Sequence, residues 1–402
     1  MLSKHALPLI LATVPVLREN GTAITRHFYQ RMFEHNPELK NLFNLGNQAS
    51  GDQAQALAGA IYAFAANLDK PAVLEPILER IAHKHVSLGI TPAQYTIVGR
   101  HLLAAIAEVL GAAITPDILA AWDEAYWLMA TDLIAREARL FQQTNWHAGQ
   151  DWRSLKVVGK EAASSDSVAI YLQAPDRGAL PAYVPGQYLS LALDLPEMGL
   201  TQIRQYSFSD APGTNTWRVT VKQVEADGSK PAGRVSSHIH NIIQVGDQIR
   251  VGPPAGDFKL NVDSERELVL ISAGVGITPM LSMLQHIVRN QPQRPVCFAY
   301  ATTRRERYPH QAEVEASLGQ LDSGRYYLWL EDPLGADLAQ EHTYQGRMDL
   351  DRIAALTPDA DYYLCGPLPF MRAQRAWLLA HGIHQQQIHY EVFGPDLFGE
   401  LH

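Results

Sequence analysis

The chain has 402 residues, with 47% hydrophobic and 19% charged residues, which predicts two or three ordinary globular domains. This composition excludes a disordered, collagen-like or low-complexity chain, and the net charge of −9 gives no general attraction to nucleic acid or to anionic membranes.

Two features of the chain bear on its location. Residues 6–17 form an apolar stretch after Lys4, but no small-residue cleavage site follows and the stretch is too short to span a membrane. The sequence therefore predicts a first amphipathic helix there, and no membrane span. Because Cys297 and Cys365 are the two cysteines, neither a disulfide framework nor a paired zinc or iron–sulfur motif is expected. A cytoplasmic protein is the expectation.

The first third of the chain predicts an all-α domain, which we place at residues 1–147. It is rich in Ala and Leu, and its apolar residues recur at helical spacing. One such stripe predicts a helix from about Val73 to Leu88, and another follows the segment from Ile118 to Leu140.

The middle of the chain, residues 152–261, predicts an antiparallel β-sheet or barrel. Short β-branched runs alternate there with Pro and Gly turn signals. The predicted strands include Ala169–Leu172, Tyr188–Leu193, Trp217–Val221 and Gln248–Val251.

The last part, residues 262–402, predicts a parallel-sheet α/β domain. Apolar strands are each followed by a helical segment, which is typical of a parallel sheet covered by helices. The predicted strands are Glu267–Ser272, Val296–Ala301, Tyr326–Leu330 and Tyr362–Cys365.

Three polar side chains fall on apolar faces of the predicted helices. His85 lies on the apolar side of its helix, where a histidine is more often a hydrogen-bonded core residue than a ligand. Glu137 lies between Leu133 and Leu140 at helical spacing, so its carboxylate needs a buried partner. Tyr95 begins a third apolar stripe. A network of these three groups would orient the imidazole and increase its electron donation to a metal.

A possible pocket can be assigned in the same domain. Gln53 and Leu57 share a helix face, Tyr29 lies on an earlier apolar helix, and Phe43 follows the helix break at residues 36–37. Each is by itself more often plain packing. Together they predict a pocket with one phenol, one amide and hydrocarbon walls.

These segments carry a family resemblance. Ile81–His85, Tyr95–Leu103 and Arg136–Ala138 resemble the globin domain of flavohemoglobins. The resemblance implies that His85 is the proximal ligand of haem b, with Tyr95 and Glu137 as its charge-relay partners. It also implies that Tyr29, Gln53 and Leu57 line the distal pocket and that Phe43 packs on the haem.

The segment Arg204-Gln205-Tyr206-Ser207 suits a phosphate-bearing heterocycle. In a strand, Arg204 and Tyr206 share a face, so a guanidinium for phosphate lies beside a phenol ring for a flat ring system. Ser207 adds a small hydroxyl. Tyr188 belongs to an earlier P-G-Q-Y segment, which precedes the motif by about the length of a hairpin. Four residues alone are weak evidence, but this context strengthens them.

Glycine-containing segments predict two further phosphate contacts. Gly233, Val235 and Ser236 stand at a predicted helix start, where backbone N–H groups can face a pyrophosphate; the alternative is an ordinary capped helix. A later loop joins the strand Glu267–Ser272 to a helix. It departs from G-x-G-x-x-G because proline takes the third glycine's place, yet it can hold a dinucleotide phosphate in the same way. Its residues are Gly274, Val275, Gly276, Ile277, Thr278 and Pro279.

The end of the chain adds two more segments. Cys365, Gly366 and Pro367 follow a strand at the edge where such folds bind ligands, and a bare thiol there is more often a buried small residue than a nucleophile. In order, these motifs resemble the ferredoxin–NADP reductase superfamily. The terminal segment resembles the flavohemoglobin ending, with Val392 in place of an expected cysteine. That resemblance implies that Phe393 covers the flavin and that Glu391 lies between flavin and haem. The segment concerned is Glu391, Val392, Phe393, Gly394 and Pro395.

The resemblance implies a nitric oxide dioxygenase that passes electrons from NADH or NADPH through FAD to haem b and converts NO and O2 to nitrate. Lys84 and Glu391 are expected to adjust the cofactors' potentials. A monomer without an obligate protein partner is expected. The alternatives are an NAD(P)H-dependent flavin reductase of ferric iron, quinones or cytochromes, and a haem-based gas sensor. Arg304 and Arg305 follow the strand Val296–Ala301, near the expected place of a 2′-phosphate, but adjacent arginines on a loop are more often simply solvated. The choice between NADH and NADPH therefore stays open.

Overall fold

The computed structural model describes residues 2–149, 152–228, 231–354 and 356–394, which form two compact units. The first unit contains the described residues up to Arg153, the segment Ala192–Arg204, and Gly394. The second contains Ser154–Leu191 and the described residues of 205–393.

The first unit is helical, as the sequence predicts. Proline at the first turn begins α4, α5 and α6. At the start of α6 the Thr115 hydroxyl accepts from the Ile118 amide, and at the start of α5 the Thr91 amide donates to the Gln94 side chain. Gly89, with a φ of 69°, ends α4 in the left-handed conformation that glycine adopts without strain. The helices are α1 Ala6–His35, α2 Leu45–Ser50, α3 Asp52–Ala66, α4 Pro71–Leu88, α5 Pro92–Leu110 and α6 Pro116–Gln143.

The core of this unit lies around α1, which contacts α3, α5 and α6. Phe28 and Met32 of α1 are fully enclosed together with Ile106 of α5. The segment Pro92–Ala113 is long and apolar enough to cross a membrane. In this structure, however, α5 supplies buried side chains to the core, so its apolar composition has a packing explanation.

The middle of the chain forms the predicted antiparallel sheet. Its strands are β1 Arg153–Ser164, β2 Ser167–Gln173, β3 Tyr188–Leu195, β4 Leu200–Ser207, β5 Trp217–Lys222 and β6 Gln248–Val251, with the short helix α7 Arg234–Asn241 before β6. The strand order is β4-β3-β6-β1-β2-β5, and β2 pairs antiparallel with both β1 and β5. The sequence prediction did not identify β1, whose exposed outward-facing residues weaken its apolar signal.

The last part of the chain is the predicted parallel sheet, with strand order β10-β9-β8-β7-β11-β12. Residues on alternate positions of β7 enter different cores: Leu268 and Leu270 pack on one face, and Val269 and Ile271 on the other. The elements are β7 Glu267–Ala273, α8 Ile277–Asn290, β8 Val296–Thr302, α9 Gln311–Leu318, β9 Gly324–Leu330, β10 Thr343–Gln345, β11 Ala360–Cys365, α10 Leu368–Ala380 and β12 Ile388–Glu391.

A nearly buried ion pair within the second unit joins β5 to α9. The guanidinium of Arg218, only 6% exposed, donates two 2.9 Å hydrogen bonds to the Glu313 carboxylate. His310 lies 3.1 Å from the same carboxylate and 2.8 Å from the Thr220 hydroxyl. Burial raises the pKa of Glu313, but the hydrogen bonds and charges of His310 and Arg218 outweigh it and hold that pKa at about 2.

Replacing this carboxylate should lower stability in a pH-dependent way. The Glu313 pKa is depressed in the folded state, so its contribution is present above the ordinary value of 4.5 and is lost as the pH falls towards 2. We expect Glu313→Gln to lower the free energy of unfolding by about 2 kcal/mol at pH 7. Urea unfolding at several pH values measures this difference, and a pH-independent difference would contradict the assignment.

Candidate active site

The helical unit brings His85, Tyr95 and Glu137 together at one point. The His85 Nδ1 atom lies 2.8 Å from Glu137 Oε1 and 2.8 Å from the Tyr95 hydroxyl. The Tyr95 hydroxyl donates a 2.5 Å hydrogen bond to the same carboxylate oxygen. Glu137 is 3% exposed, so the buried charge predicted from its helical spacing has its partners inside the domain.

The position of Tyr95 depends on a close approach of α5 and α6. The Tyr126 hydroxyl of α6 donates to the Tyr95 carbonyl oxygen at 2.5 Å. A Cβ atom on Gly99 would lie 2.4 Å from the Tyr126 ring, so glycine is what allows the ring to lie across α5. Burial, and next the charge of Glu137, raise the pKa of Tyr95, which keeps its hydroxyl protonated and donating.

This arrangement fits a haem iron. With Nδ1 engaged by a carboxylate, the lone pair for a metal is on Nε2, which has no hydrogen-bond partner among the described residues. A histidine whose second nitrogen donates to a carboxylate is the common pattern of metal-ligating imidazoles. Lys84, the neighbouring residue on α4, is partly exposed and its carbonyl accepts from the Ser87 hydroxyl.

A second part of the site surrounds Tyr29. Burial raises the pKa of this phenol to about 12, with the side-chain amides of Gln53 and Gln48 acting in the opposite direction. The Tyr29 ring contacts Phe33 and Phe43, with ring centroids 5.9 and 5.5 Å away. Gln53 thus lies beside the phenol, as predicted.

A cavity of about 320 Å³ opens beside this phenol. Its lining residues are Arg26, Tyr29, Gln30, Phe33, Lys40, Gln48, Ser50, Gly51 and Ala54. Gln53, Leu57 and Phe43 were predicted to share the pocket, but all three are absent from this lining. Leu57 and Phe43 pack against the apolar core. Gln48 was missed from the sequence because α2 has only six residues, too few for an apolar periodicity to show where the amide lies.

Within the first unit, Arg204 contacts the helical residues. Its Nη2 atom donates to Asn44 Oδ1 at 2.8 Å, and its Nη1 atom donates to the Ile203 carbonyl at 2.7 Å. A second hydrogen bond, 3.0 Å long, joins the Thr201 amide to Asn41 Oδ1. The guanidinium predicted for a phosphate therefore also has protein partners.

The rest of this motif lies in the second unit. Ser207 has a buried hydroxyl with no hydrogen-bond partner among the described residues, whereas the Gln205 amide donates to the Ser190 hydroxyl at 3.5 Å. Tyr206 is partly exposed, and Tyr188 is buried and pairs with Ala255. An orphaned hydroxyl next to a partly exposed phenol fits a polar, flat cofactor such as a flavin.

The segment at Gly233 begins a short helix whose first turn has no side-chain cap. Gly233 stands directly before α7, and the Ser236 hydroxyl donates to the Gly233 carbonyl at 3.0 Å while accepting from the Val224 amide at 3.2 Å. Val235 is buried. The Ser236 hydroxyl is thus already engaged, which leaves backbone N–H groups of this turn as the donors for a phosphate.

The glycine loop after β7 meets the end of β11. A Cβ atom on Gly276 would lie 2.4 Å from the Cys365 carbonyl oxygen, so the two loops can approach this closely only with glycine there. Gly274 has a φ of 55° and its carbonyl accepts from the Tyr300 hydroxyl at 3.0 Å. Ser272, at the end of β7, has a buried hydroxyl without a hydrogen-bond partner among the described residues.

The other residues of this loop begin a helix. Ile277 and Thr278 open α8, with Pro279 in its first turn, and the Thr278 hydroxyl donates to the Val275 carbonyl at 3.0 Å. Glycines before a helix N-terminus at the carboxyl edge of a parallel sheet fit a dinucleotide phosphate. Cys365 and the adjoining Gly366 and Pro367 complete this edge.

The chain's last described segment lies beside this edge. Glu391 ends β12 directly opposite Cys365 in the parallel register. Burial, and next the charge of Glu391, raise the pKa of Cys365 well above its ordinary value, so its thiol is a buried apolar group and no nucleophile. Phe393 is 45% exposed, beside the partly exposed Val392 and before Gly394, and Pro395 lies outside the described residues.

Three family models match the chain in the predicted order: Globin over residues 26–133, Oxidoreductase FAD-binding domain over 154–260, and Oxidoreductase NAD-binding domain over 270–376. A flavohemoprotein of Bordetella parapertussis is 46% identical over 98% of this chain and 99% of its own length. The chain belongs to the flavohemoprotein family. This confirms the family, the fold class and the cofactor classes predicted from the sequence: haem, FAD and a nicotinamide nucleotide.

Other relatives agree with this assignment. The flavohemoprotein of Bacillus subtilis is 40% identical over 99% of this chain and 98% of its own. The crystal structure of a Malassezia yamatoensis flavohemoglobin with bound FAD and heme has a TM-score of 0.86 at 32% identity and covers 98% of this chain and 100% of that one. The flavohemoprotein described here is thus an oxidoreductase with globin, FAD-binding and NAD-binding domains.

Removing the buried charge should weaken electron donation by His85. In Glu137→Gln, the neutral amide polarises the His85 imidazole less than the carboxylate does. We therefore expect a lower iron–histidine stretching frequency in the ferrous, haem-loaded flavohemoprotein. Resonance Raman spectroscopy measures this frequency. Glu75→Gln is the matched control, because Glu75 is exposed and pairs with Arg136 on the same pair of helices. An unchanged frequency in Glu137→Gln would exclude this electronic role.

The glycine loop should not tolerate a side chain. Gly276→Ala places a methyl group against the Cys365 backbone, and we expect a loss of about 1 to 3 kcal/mol in unfolding free energy together with weaker NAD⁺ binding. Thermal unfolding and calorimetric titration measure both quantities. Gly335→Ala is the control, because a Cβ atom there meets nothing within 4 Å. Equal behaviour of the two variants would contradict the requirement for close approach.

Proposed function

We propose that this flavohemoprotein is a nitric oxide dioxygenase. NO, O2 and one electron give nitrate, with the electrons supplied by NADH or NADPH. Haem and FAD, when bound, supply the redox chemistry, and the protein contributes positioning and electrostatics. The observation that carries the proposal is Tyr29, a buried phenol that lines a cavity in the same globin domain as the His85 network.

The proximal side of the proposed site depends on Glu137. Its buried carboxylate accepts from Tyr95 and holds the Nδ1 side of His85, which increases the basicity of the imidazole. We assign His85 as the residue that would bind the haem iron, and Tyr95 and Glu137 as its positioning residues.

The distal side of the proposed site depends on Tyr29. With a pKa of about 12, the phenol stays protonated at physiological pH and can donate a hydrogen bond to an oxygen atom of a diatomic substrate. The side-chain amides of Gln53 and Gln48 lie close enough to the hydroxyl to act on its pKa in the lowering direction. A hydroxyl donor in this pocket would stabilise an oxygen ligand that carries partial negative charge.

We assign the second unit to electron supply. The Ser207 hydroxyl and the motif around it hold the flavin, and the loop at Gly276 holds the nucleotide phosphates. Lys84 and Glu391 would adjust the potentials of haem and flavin. We further propose that the enzyme works in the cytoplasm, where reduced nicotinamide nucleotides are made, as a monomer without an obligate protein partner.

The test is aerobic NO consumption by the full chain loaded with haem and FAD, with NAD(P)H oxidation and nitrate followed together. One nitrate formed for each NO consumed establishes the dioxygenase. NAD(P)H oxidation without nitrate would instead leave a flavin reductase of ferric iron, quinones or cytochromes as the remaining assignment. Binding of O2 or NO without turnover would establish a gas sensor.

Removing the distal hydroxyl should slow this reaction. We expect Tyr29→Phe to release O2 about tenfold faster or more and to lower the rate of NO turnover, because a hydrogen bond to a polarised oxygen is lost. Stopped-flow spectroscopy measures the O2 release, and Tyr62→Phe on α3 serves as the control. If the two variants release O2 equally, Tyr29 has no part in holding the ligand.

A further inference from the structure

Two charged loops meet at the carboxyl edge of the parallel sheet. Arg304 follows the end of β8 and Asp332 follows the end of β9. The Arg304 Nε atom donates to Asp332 Oδ2 at 2.8 Å, and Nη2 lies 2.6 Å from the same oxygen. The Asp332 amide also donates to the Thr303 carbonyl at 2.8 Å, which fixes one loop against the other.

This pair lies one strand away from the glycine loop. β8 is the strand next to β7, whose end carries the glycine loop for the dinucleotide phosphates. In parallel α/β sheets, a carboxylate near such a strand end accepts from the ribose 2′-hydroxyl of NADH, and an arginine there accommodates the 2′-phosphate of NADPH. This chain places one group of each kind in direct contact.

Arg304 and its neighbour Arg305 are each paired with carboxylates. Arg305 donates to Asp337 at 2.7 Å, and Glu306 lies 3.9 Å from Arg304. Two guanidinium groups therefore face three carboxylates. A 2′-phosphate, with a charge of about −1.5 to −2, would meet excess negative charge here, whereas uncharged ribose hydroxyls would meet acceptors.

We propose that Asp332 makes this flavohemoprotein select NADH over NADPH. Its carboxylate accepts from the adenosine ribose hydroxyls of NADH and, by holding Arg304, withholds that guanidinium from a 2′-phosphate. The inference rests on the NAD-binding domain and not on the proposed NO dioxygenase activity, so the two can fail separately.

The ion pair can be altered without disturbing the fold. The Arg304 and Asp332 side chains are 55% and 66% exposed, and an exposed pair contributes little to stability. Asp332→Asn removes the charge and frees Arg304, and Asp332→Asn with Arg304→Gln removes the freed cation too. Asp359→Asn is the matched control, because Asp359 pairs with Arg266 at the amino edge of the same sheet.

The test is calorimetric titration of the haem- and FAD-loaded full chain with adenosine 2′,5′-bisphosphate and with 5′-AMP. We expect the unaltered protein to bind the bisphosphate no more tightly than AMP. In Asp332→Asn, the ratio of the two affinities should move at least about fivefold towards the bisphosphate, and the double variant should lose this gain. Stopped-flow flavin reduction by NADH and by NADPH should shift in the same direction.

Three results would overturn the proposal. The first is tighter binding of the bisphosphate by the unaltered protein. The second is a change in the affinity ratio of less than about fivefold in Asp332→Asn, or a change in Asp359→Asn as large as the one in Asp332→Asn. The third is a gain that persists in the double variant, which would mean that Arg304 is not the group that receives the phosphate. Flavin reduction is read without NO, so these results are independent of nitrate formation.

Discussion

The helical unit depends on one buried charge. A carboxylate that is 3% exposed is stable only with hydrogen-bond donors around it, and Glu137 obtains them from Tyr95 and from the Nδ1 side of His85. Satisfying this charge therefore joins α4, α5 and α6 at one point. It also leaves the other imidazole nitrogen as the group that can bind a metal. Stability and cofactor chemistry thus make the same demand on these three residues.

The reductase part follows a different constraint, which is the close approach of backbone to backbone. The loop at Gly276 and the end of β11 touch so closely that a methyl group has no room. Backbone N–H groups at a helix start then lie at a sheet edge. Side chains at such an edge can distinguish one nicotinamide nucleotide from the other. In the proposed arrangement, phosphates bind at the loop of Gly276, while Arg304 and Asp332 lie further along the same edge. The proposals thus assign nucleotide binding and nucleotide selectivity to separate residues.

Periodic features were predictable from the sequence. The helical stripe of α4 and the apolar strands of the parallel sheet came within two residues of the observed bounds, because each is set by its own local pattern. Contacts between distant segments were not predictable. The Gln48 amide at Tyr29 and the bond from Arg204 to Asn44 depend on how helices and strands pack, and nothing in their local sequence records it. The roles of the site residues remain proposals.

The hairpin of β3 and β4 has a consequence for dissecting the protein. Its outer part, Ala192–Arg204, belongs to the same compact unit as the helices and is joined to them through Asn41 and Asn44. That unit is discontinuous along the chain. A truncation near residue 150 would release a helical fragment without the hydrogen bonds that Thr201 and Arg204 donate to Asn41 and Asn44. Measurements on such a fragment would describe a different molecule from the helical part of the intact chain.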